Sequence, residues 1–369
     1  MRRAYAAAAV LFCLSAVLLW RAPLDGDVVE LSGYAHNVLH GQVPYRDFHV
    51  EYPPGVFALV VPAALGEFVT WYRVENALAW LAVLALTALL LRQLYPQRRR
   101  NAGLLALVAL APLLLGPFTL LRFDGWVTAC VLAALLLMLR RRPDWAMAAL
   151  ALGTLLKAWP LGLVPLFVVA GVRLRGLVVY AAVVLAGLLP FAALSAGGSY
   201  NGVMAQVNRH LEYESVGASV LFVLHRAVHT YFETGSFSVS GSAANGIATF
   251  QSVLQIAVFL LAAALYARSQ RRPQDLATAV ALAVAAATAL GKVLSPQYLL
   301  WLAPLGVLVE SPLVLLLVVG ACAGTRALVA EGIPALAHQR PGAVAALAVR
   351  NAFLIAVTAV LAWRAAVSR

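Results

Sequence analysis

Long apolar runs without a charged residue alternate with short polar segments along most of the chain. The clearest runs cover residues 4–20, 77–91, 104–121 and 313–325. A helix needs about 20 mostly apolar residues to cross the roughly 30 Å hydrocarbon core of a bilayer. The pattern therefore predicts an all-α, polytopic membrane protein, organised as a single membrane domain over residues 1–369.

Arginine clusters fix the expected orientation of these helices. They lie at residues 98–100, 140–142, 173–175 and 268–272. Cytoplasmic loop ends carry an excess of Lys and Arg, so we expect all four clusters inside. With both chain ends inside, this predicts about twelve spans, near residues 4–20, 71–95, 101–120, 124–140, 144–157, 158–172, 176–195, 247–267, 276–291, 297–310, 311–326 and 343–365.

The apolar stretch 54–69 competes with 71–95 for one crossing. If both spanned, the cluster at 98–100 would lie outside. We therefore interpret 54–69 as an interfacial or re-entrant helix within a first outer loop, 21–70. The alternative, in which both segments span, remains open at this stage.

The acidic residues fall mostly on one side of the membrane, although they were not used to set this orientation. Of the 15 Asp and Glu residues, only Asp144, Asp275 and Glu310 fall on the predicted inner side. Both lysines, Lys157 and Lys292, fall at the outer ends of predicted helices. The polar chemistry is thus expected on the outer face.

Composition narrows the function classes. With 63% apolar and 11% charged residues, the chain is too apolar for a soluble enzyme. Its net charge of +12 comes from arginines between apolar runs, so we exclude nucleic acid as a partner. Cys13, Cys130 and Cys322 lie within apolar runs and suggest neither a disulfide framework nor a metal site.

The first outer loop carries carboxylates on what the pattern predicts to be a rigid frame. Residues 27–40 have the periodicity of a short amphipathic surface helix, and Pro53 and Pro54 stiffen the segment that follows. The carboxylates that would lie over the membrane entrance, where one can serve as general base, are Asp25, Asp27, Asp47 and Glu51. The simpler alternative is that they solvate the loop.

His36 and His40 are four residues apart and would share one face of that helix. The spacing fixes no third ligand, so we predict neither a metal nor another cofactor.

Isolated cations interrupt apolar runs at the predicted outer boundary. Arg122 and Asp124 stand two residues apart, so they can pair with each other or with loop residues. Lys157 and Lys292 each precede a proline and an aromatic residue. Each cation alone can be explained by snorkelling, but three of them beside an acidic loop favour a bound phosphate.

A second outer loop, 196–246, contains another polar group. Arg209, His210, Glu212 and Glu214 lie close together in sequence. Residues 216–231 resemble a further surface helix, and 235–245 are rich in Ser and Gly, which predicts a mobile loop. Such a loop serves equally well as a lid over a site or as a plain linker.

The order and spacing of these motifs are similar to those of glycosyltransferase family 87. The most specific segment is GQVPYRDFHVEYPPG at 41–55. It is preceded by Asp27 and Tyr34 and followed by Arg122 with Asp124, and by a Lys-x-x-Pro motif at 157–160. A Lys-x-x-Ser-Pro-Gln-Tyr segment at 292–298 completes the pattern. The resemblance covers residues 20–310.

The resemblance implies a GT-C fold and an inverting transfer of a sugar from a polyprenyl phosphate, with mannose as the expected sugar. The acceptor would be a hydroxyl of a lipid or glycan on the extracytoplasmic face of the cell membrane, and no metal would be needed. The family's catalytic Asp corresponds by position to Asp27, with Asp25 close enough to compete. We expect the donor phosphate at Arg122, Lys157, Lys292 and Arg209. The other residues expected at the substrates are Tyr34, Tyr45, Asp47, Glu51, Tyr52, Asp124, His210, Glu212, Glu214, Gln297 and Tyr298.

Other functions also fit a chain of many spans. A transporter or flippase usually shows internal repeats and ionisable groups at mid-membrane, and the sequence has neither pattern. The sequence does not distinguish a mannosyltransferase from a transferase that uses another lipid-linked sugar. A non-catalytic scaffold leaves the carboxylates of the first outer loop unexplained.

Overall fold

The structure, a computed structural model, describes residues 2–96, 100–224, 229–233 and 235–367. Most of these residues are helical. The helices of the first half are α1 (Arg2–Leu19), α2 (Gly26–Leu39), α3 (Phe57–Ala63), α4 (Phe68–Leu94), α5 (Asn101–Leu115), α6 (Phe118–Leu121), α7 (Asp124–Leu139), α8 (Pro143–Leu156), α9 (Val164–Val169) and α10 (Leu174–Leu194). The helices of the second half are α11 (Gly198–Asn208), α12 (Val216–Val223), α13 (Ser242–Arg268), α14 (Pro273–Ala289), α15 (Leu299–Leu308), α16 (Pro312–Glu331), α17 (Ile333–Ala337) and α18 (Pro341–Val367).

Within the described ranges, five helices are long and apolar enough to cross a membrane. They are α4, α10, α13, α16 and α18. Several other predicted spans coincide with shorter apolar helices, among them α7, α8 and α14. The protein is therefore a mostly helical, multi-pass membrane protein, and the count of about twelve spans stays a prediction.

Prolines and glycines explain why some predicted spans are shorter than expected. Helix α5 contains Pro112 and ends at Gly116, whose φ of 75° breaks the helical path. The predicted span 158–172 begins as a 3-10 turn, Trp159–Leu163, before the short α9. Proline cannot donate a backbone hydrogen bond, so these segments cannot continue as one regular helix.

The contested segment 54–69 forms a 3-10 turn, Pro54–Val56, and the seven-residue α3. At 1.5 Å per residue these ten residues reach only about 15 Å, half of a hydrocarbon core. Helix α4 then begins at Phe68, where the Glu67 side chain accepts hydrogen bonds from two backbone N–H groups. This short length favours the interfacial interpretation of 54–69, which stays a prediction.

The arginine-rich helix ends lie together. Gln93, near the end of α4, donates to the Leu139 carbonyl at the end of α7, over 3.1 Å. Arg175 pairs with Asp144 at 3.1 Å where α10 and α8 begin. The structure thus groups these helix ends as the sequence predicts; Arg98 and Arg99 lie outside the described residues. Which end faces the cytoplasm stays a prediction.

The second outer loop contains a small antiparallel sheet that the sequence analysis missed. Its strands are β1 (Leu211–Glu212), β2 (His229–Glu233) and β3 (Ser236–Ser240), in the order β1-β3-β2. The predicted helix 216–231 is confirmed only for Val216–Val223, since 229–231 belong to β2 and 225–228 lie outside the described residues. Residues 236–240 form a strand and 242–245 begin α13, so the predicted mobile loop at 235–245 is wrong. The Ser-Phe-Ser-Val-Ser alternation of β3 has period two, which favours a strand over a loop.

Helices α14 and α15 form the centre of the fold, since nearly all their side chains are buried. Helices that are apolar on every side are expected in such positions. By contrast, α10 buries only Gly176 and Tyr180. A separate apolar cluster, which includes Val28 and Leu31 of α2, fixes the first outer loop onto α3 and α4.

Candidate active site

A cavity of about 1270 Å³ lies where the two outer loops meet the ends of α8, α10 and α14. Most of the residues expected at the substrates line it. They are Asp25, Asp27, Tyr45, Glu51, Tyr52, Arg122, Lys157, Arg209, Glu212, Glu214, Lys292, Gln297 and Tyr298. A large concave space with a few convergent polar groups is the usual form of a substrate site.

Helix α2 presents the two aspartates of this cavity. Asp25 is its N-cap, with the side chain accepting from the Val28 N–H at 3.3 Å. Asp27 lies in the first turn. Since Val28 and Leu31 are buried, the helix is anchored on its apolar face, and the aspartates stay at its free N-terminal end. The predicted surface helix is thus present and begins at Gly26.

Arg122 joins the two aspartates. Its Nη1 donates to Asp25 Oδ1 at 2.8 Å, and its Nη2 lies 2.8 Å from Asp25 Oδ2. The same Nη2 lies 3.1 Å from Asp27 Oδ2. Asp25 is therefore held by a bidentate contact, which is the stronger form. Asp27 Oδ1 accepts no hydrogen bond from the part of the chain that the structure describes.

Asp27 has a raised pKa. Burial disfavours its charged form and is the largest cause; the positive charge of Arg122 opposes it, and the negative charge of Asp25 adds to it. With a raised pKa and one oxygen that accepts no hydrogen bond from the described residues, Asp27 is suited to accept a proton. Asp25 has a structural role, since it caps α2 and binds Arg122 through both carboxylate oxygens.

Lys157 pairs with Asp124 and not with a loop residue. Its Nζ lies 2.9 Å from Oδ1 and 3.1 Å from Oδ2 of that carboxylate, which is fully buried and also accepts from Trp301 Nε1 at 2.7 Å. The ring centroids of Tyr298 and Trp301 lie 4.8 Å and 5.3 Å from the ammonium. Lys157 is thus fixed in the cavity wall, and the sequence alternative of an Arg122–Asp124 pair is wrong.

Lys292 and Arg209 lie together on another part of the wall. Lys292 Nζ donates to the Val207 carbonyl at 2.6 Å, and among described residues no carboxylate lies within ion-pair distance of it. Burial lowers the pKa of Lys292, and the neighbouring Arg209 charge lowers it further. Arg209 Nη2 donates to Ser236 Oγ of β3 at 2.6 Å.

Backbone contacts hold this cationic pair in place. The Glu212 N–H donates to the Lys292 carbonyl at 2.9 Å, and the Leu294 N–H donates to the Glu212 carboxylate at 2.6 Å. Strand β1 is therefore joined to the segment between α14 and α15. Burial raises the pKa of Glu212 to about 8, so its carboxyl is mostly neutral at pH 7.

Glu51 is a second carboxyl with high proton affinity. Burial raises its pKa to about 8, with Glu30 adding to the shift and Arg209 opposing it. Its backbone carbonyl accepts from Gln206 Nε2 at 2.8 Å. Tyr45 donates to the Tyr52 carbonyl at 2.6 Å and so braces the same segment.

Four predicted residues lie outside the cavity lining. Tyr34 accepts from the Glu51 N–H at 3.3 Å and so positions that residue. Asp47 pairs with the exposed Arg46 at 2.8 Å. Asp124 acts through Lys157, and His210, paired with Glu233 at 2.9 Å, faces a separate cleft.

One buried ion pair and the apolar wall of the cavity were not predicted from the sequence. Arg350 of α18 is fully buried and donates to Glu214 at 2.6 Å, fixing the second outer loop to the last helix. A lone arginine in an apolar helix was the available signal. The apolar wall comes from helices and turns whose residues carry no motif, including Leu161, Val184, Leu188 and Phe191.

Comparison with known proteins identifies the family. The sequence model of glycosyltransferase family 87 matches residues 48–296, which include Arg122, Lys157 and Lys292. No curated protein and no solved structure matches the chain. The match covers more than half of the protein, including the second outer loop and the last part of the first, and it begins after Asp25 and Asp27. The chain belongs to glycosyltransferase family 87 and is a membrane glycosyltransferase.

Proposed function

We propose that the protein transfers a sugar, mannose by family resemblance, from a polyprenyl phosphate to an acceptor hydroxyl on the extracytoplasmic face. One observation carries this proposal. A carboxylate with an unoccupied oxygen, Asp27, shares a single cavity with the cations Lys292 and Arg209. Sugar transfer from a lipid phosphate requires both kinds of group, a proton acceptor and a stabiliser of the leaving phosphate.

Asp27 is the proposed general base. As the acceptor oxygen bonds to the sugar C1, its proton passes to Asp27 Oδ1. The C1–O bond to phosphate breaks, and its electron pair remains on the phosphate oxygen. A single displacement of this kind inverts the anomeric centre. Arg122 pairs with both carboxylate oxygens of Asp25 but with only one of Asp27, so the proton goes to Asp27.

Lys292 and Arg209 are proposed to bind the leaving phosphate. A sugar phosphodiester carries about one negative charge, and the departing monoester carries about two at neutral pH. The added charge develops in the transition state, so cations fixed beside it lower the barrier. Lys157 and Arg122 were also predicted for this role. The charge of Lys157 is already paired with Asp124, and that of Arg122 is paired with Asp25 and Asp27.

The apolar wall suits the isoprenoid part of the donor. Leu161, Val184 and Leu188 line the cavity. Val184 and Leu188 belong to α10, a helix that buries only Gly176 and Tyr180. An isoprenoid chain can pass from the bilayer into contact with this wall without burying a polar group. The phosphate end would then lie at the polar rim of the cavity.

The direct test is transfer in purified protein reconstituted into lipid nanodiscs. Short-chain polyprenyl phosphates bearing mannose, arabinose or glucose are offered with membrane lipid extract as acceptor, and labelled product is followed. We expect transfer from one of these donors without added metal. Transfer only from a nucleotide sugar would contradict the proposed donor class, and product with retained anomeric configuration would contradict the single displacement.

A further inference from the structure

A second, smaller cleft of about 390 Å³ adjoins the main cavity. It lies between the end of α11, the start of β1 and one face of α13. Its polar lining includes Asn208, His210, Asn245, Thr249 and Ser252. None of these residues takes part in the proposed transfer.

The face of α13 in this cleft changes character along its length. Asn245, Thr249, Ser252 and Ile256 are spaced by four, three and four residues, so they share one helix face. The first three are polar, whereas Ile256 is apolar and 58% exposed. From Asn245 to Ile256 the helix rises about 16 Å. The cleft is thus polar at its outer end and apolar towards the membrane, as an amphiphile requires.

Two cationic side chains line both the small cleft and the main cavity. They are Lys292 and Arg209. Their like charges lie close enough to lower the pKa of Lys292. The carboxyls that interact with Arg209 are those of Glu212 and Glu51, and burial raises the pKa of each to about 8. A neighbouring pair of cations at the polar end of an amphiphile-shaped cleft favours an anionic head group.

We propose that the small cleft binds the polyprenyl phosphate released by transfer, with its phosphate at Lys292 and Arg209 and its chain along α13. This rests on the proposed function and extends it to product release. Transfer raises the phosphate from about one to about two negative charges. The product therefore gains more than the donor does from two cations. The cleft gives it a route from the cavity to the bilayer along the exposed face of α13.

Binding of farnesyl phosphate, a phosphate monoester with an isoprenoid chain, tests this without catalysis. The full-length protein is placed in phosphatidylcholine nanodiscs, and the dissociation constant is measured by titration. The double variant Thr249→Leu/Ser252→Leu fills the cleft but leaves the main cavity's lining intact, and Thr249 is exposed, so leucine meets no core there. The control Ser242→Leu makes a matched change at an exposed position of α13 outside both spaces.

We expect the double variant to weaken farnesyl phosphate binding about tenfold or more, because the two leucine side chains occupy the space proposed for the isoprenoid chain, with the control within twofold of the parent. Equal binding in all three proteins would overturn the proposal. The proposal would also be overturned if phosphatidylglycerol in the nanodisc displaced farnesyl phosphate as effectively as unlabelled farnesyl phosphate does. That result would identify a general phospholipid site. A parent protein that binds farnesyl phosphate in the cleft but transfers no sugar would refute the proposed function and not the cleft.

Discussion

Arg122 holds Asp25 through both carboxylate oxygens and Asp27 through only one. The two aspartates stand at the start of the same helix, yet the structure makes them chemically unequal. Asp25 is committed to capping α2 and to the guanidinium. Asp27 keeps an oxygen towards the cavity, which is the reason for preferring it as the base.

Arg122→Gln should shift the pH dependence of transfer. The positive charge of Arg122 lowers the pKa of Asp27 against the effect of burial, so its removal raises that pKa. A general base must be ionised, and the acid limb of the kcat/KM profile should therefore move to higher pH. An acid limb unchanged from the parent, in variant protein present at normal membrane levels, would separate Arg122 from the base.

Glu51→Gln should remove a pH-dependent loss of stability. The pKa of Glu51 is raised by burial to about 8, so the folded protein holds its proton more tightly than the unfolded chain does. Stability then falls as pH rises from the unfolded pKa through about 8. The variant cannot ionise, so its melting temperature should exceed that of the parent more at pH 8.5 than at pH 5. A difference that does not depend on pH would contradict a protonated Glu51.

Lys157→Ala should act mainly on stability. It would leave Asp124 fully buried without its cation, and breaking such a pair costs about 3 to 5 kcal/mol. Removing both charges, as Lys157→Met/Asp124→Asn, should recover part of that loss. A double-mutant cycle on thermal unfolding measures the recovery, and additive losses would show that the two residues are not coupled.

Lys292→Ala should act mainly on transfer. Its ammonium donates to a single backbone carbonyl, so the fold loses little. A lost charge-assisted phosphate contact costs about 1.5 to 3 kcal/mol, or roughly tenfold to a hundredfold in kcat/KM. Lys292→Arg keeps the charge and serves as the matched control. Unchanged kcat/KM in the alanine variant would show that the lysine only snorkels.

Local patterns predicted the elements well where one principle dominated. The period of residues 27–40 predicted α2 within one residue of its observed start, and the arginine clusters predicted which helix ends lie together. In the second outer loop, short strands compete with helix and loop on similar sequence signals. The Ser and Gly content of 235–245 predicted a mobile loop, whereas Ser236–Ser240 form strand β3 between β1 and β2.

Partner choice could not be predicted from the sequence. Arg122 pairs with a residue 97 positions earlier, although Asp124 is two positions away. Arg122 has an extended backbone conformation, whereas Asp124 already lies in the first turn of α7, so the two side chains reach different partners although they are close in sequence. The Arg350–Glu214 pair spans 136 positions. Such contacts depend on how helices pack, which a single sequence does not reveal.

The base assignment is tested most directly by single-turnover sugar transfer in Asp27→Asn, with donor binding measured on the same preparation. Asparagine keeps the size of the side chain but cannot accept the proton. The account predicts that transfer falls by about 10² to 10⁴ while donor affinity stays within a few-fold of the parent. Asp144→Asn, at the opposite helix ends, is the control and should transfer normally. Near-normal transfer in Asp27→Asn would contradict the account, and complete loss in Asp25→Asn alone would move the base by two positions.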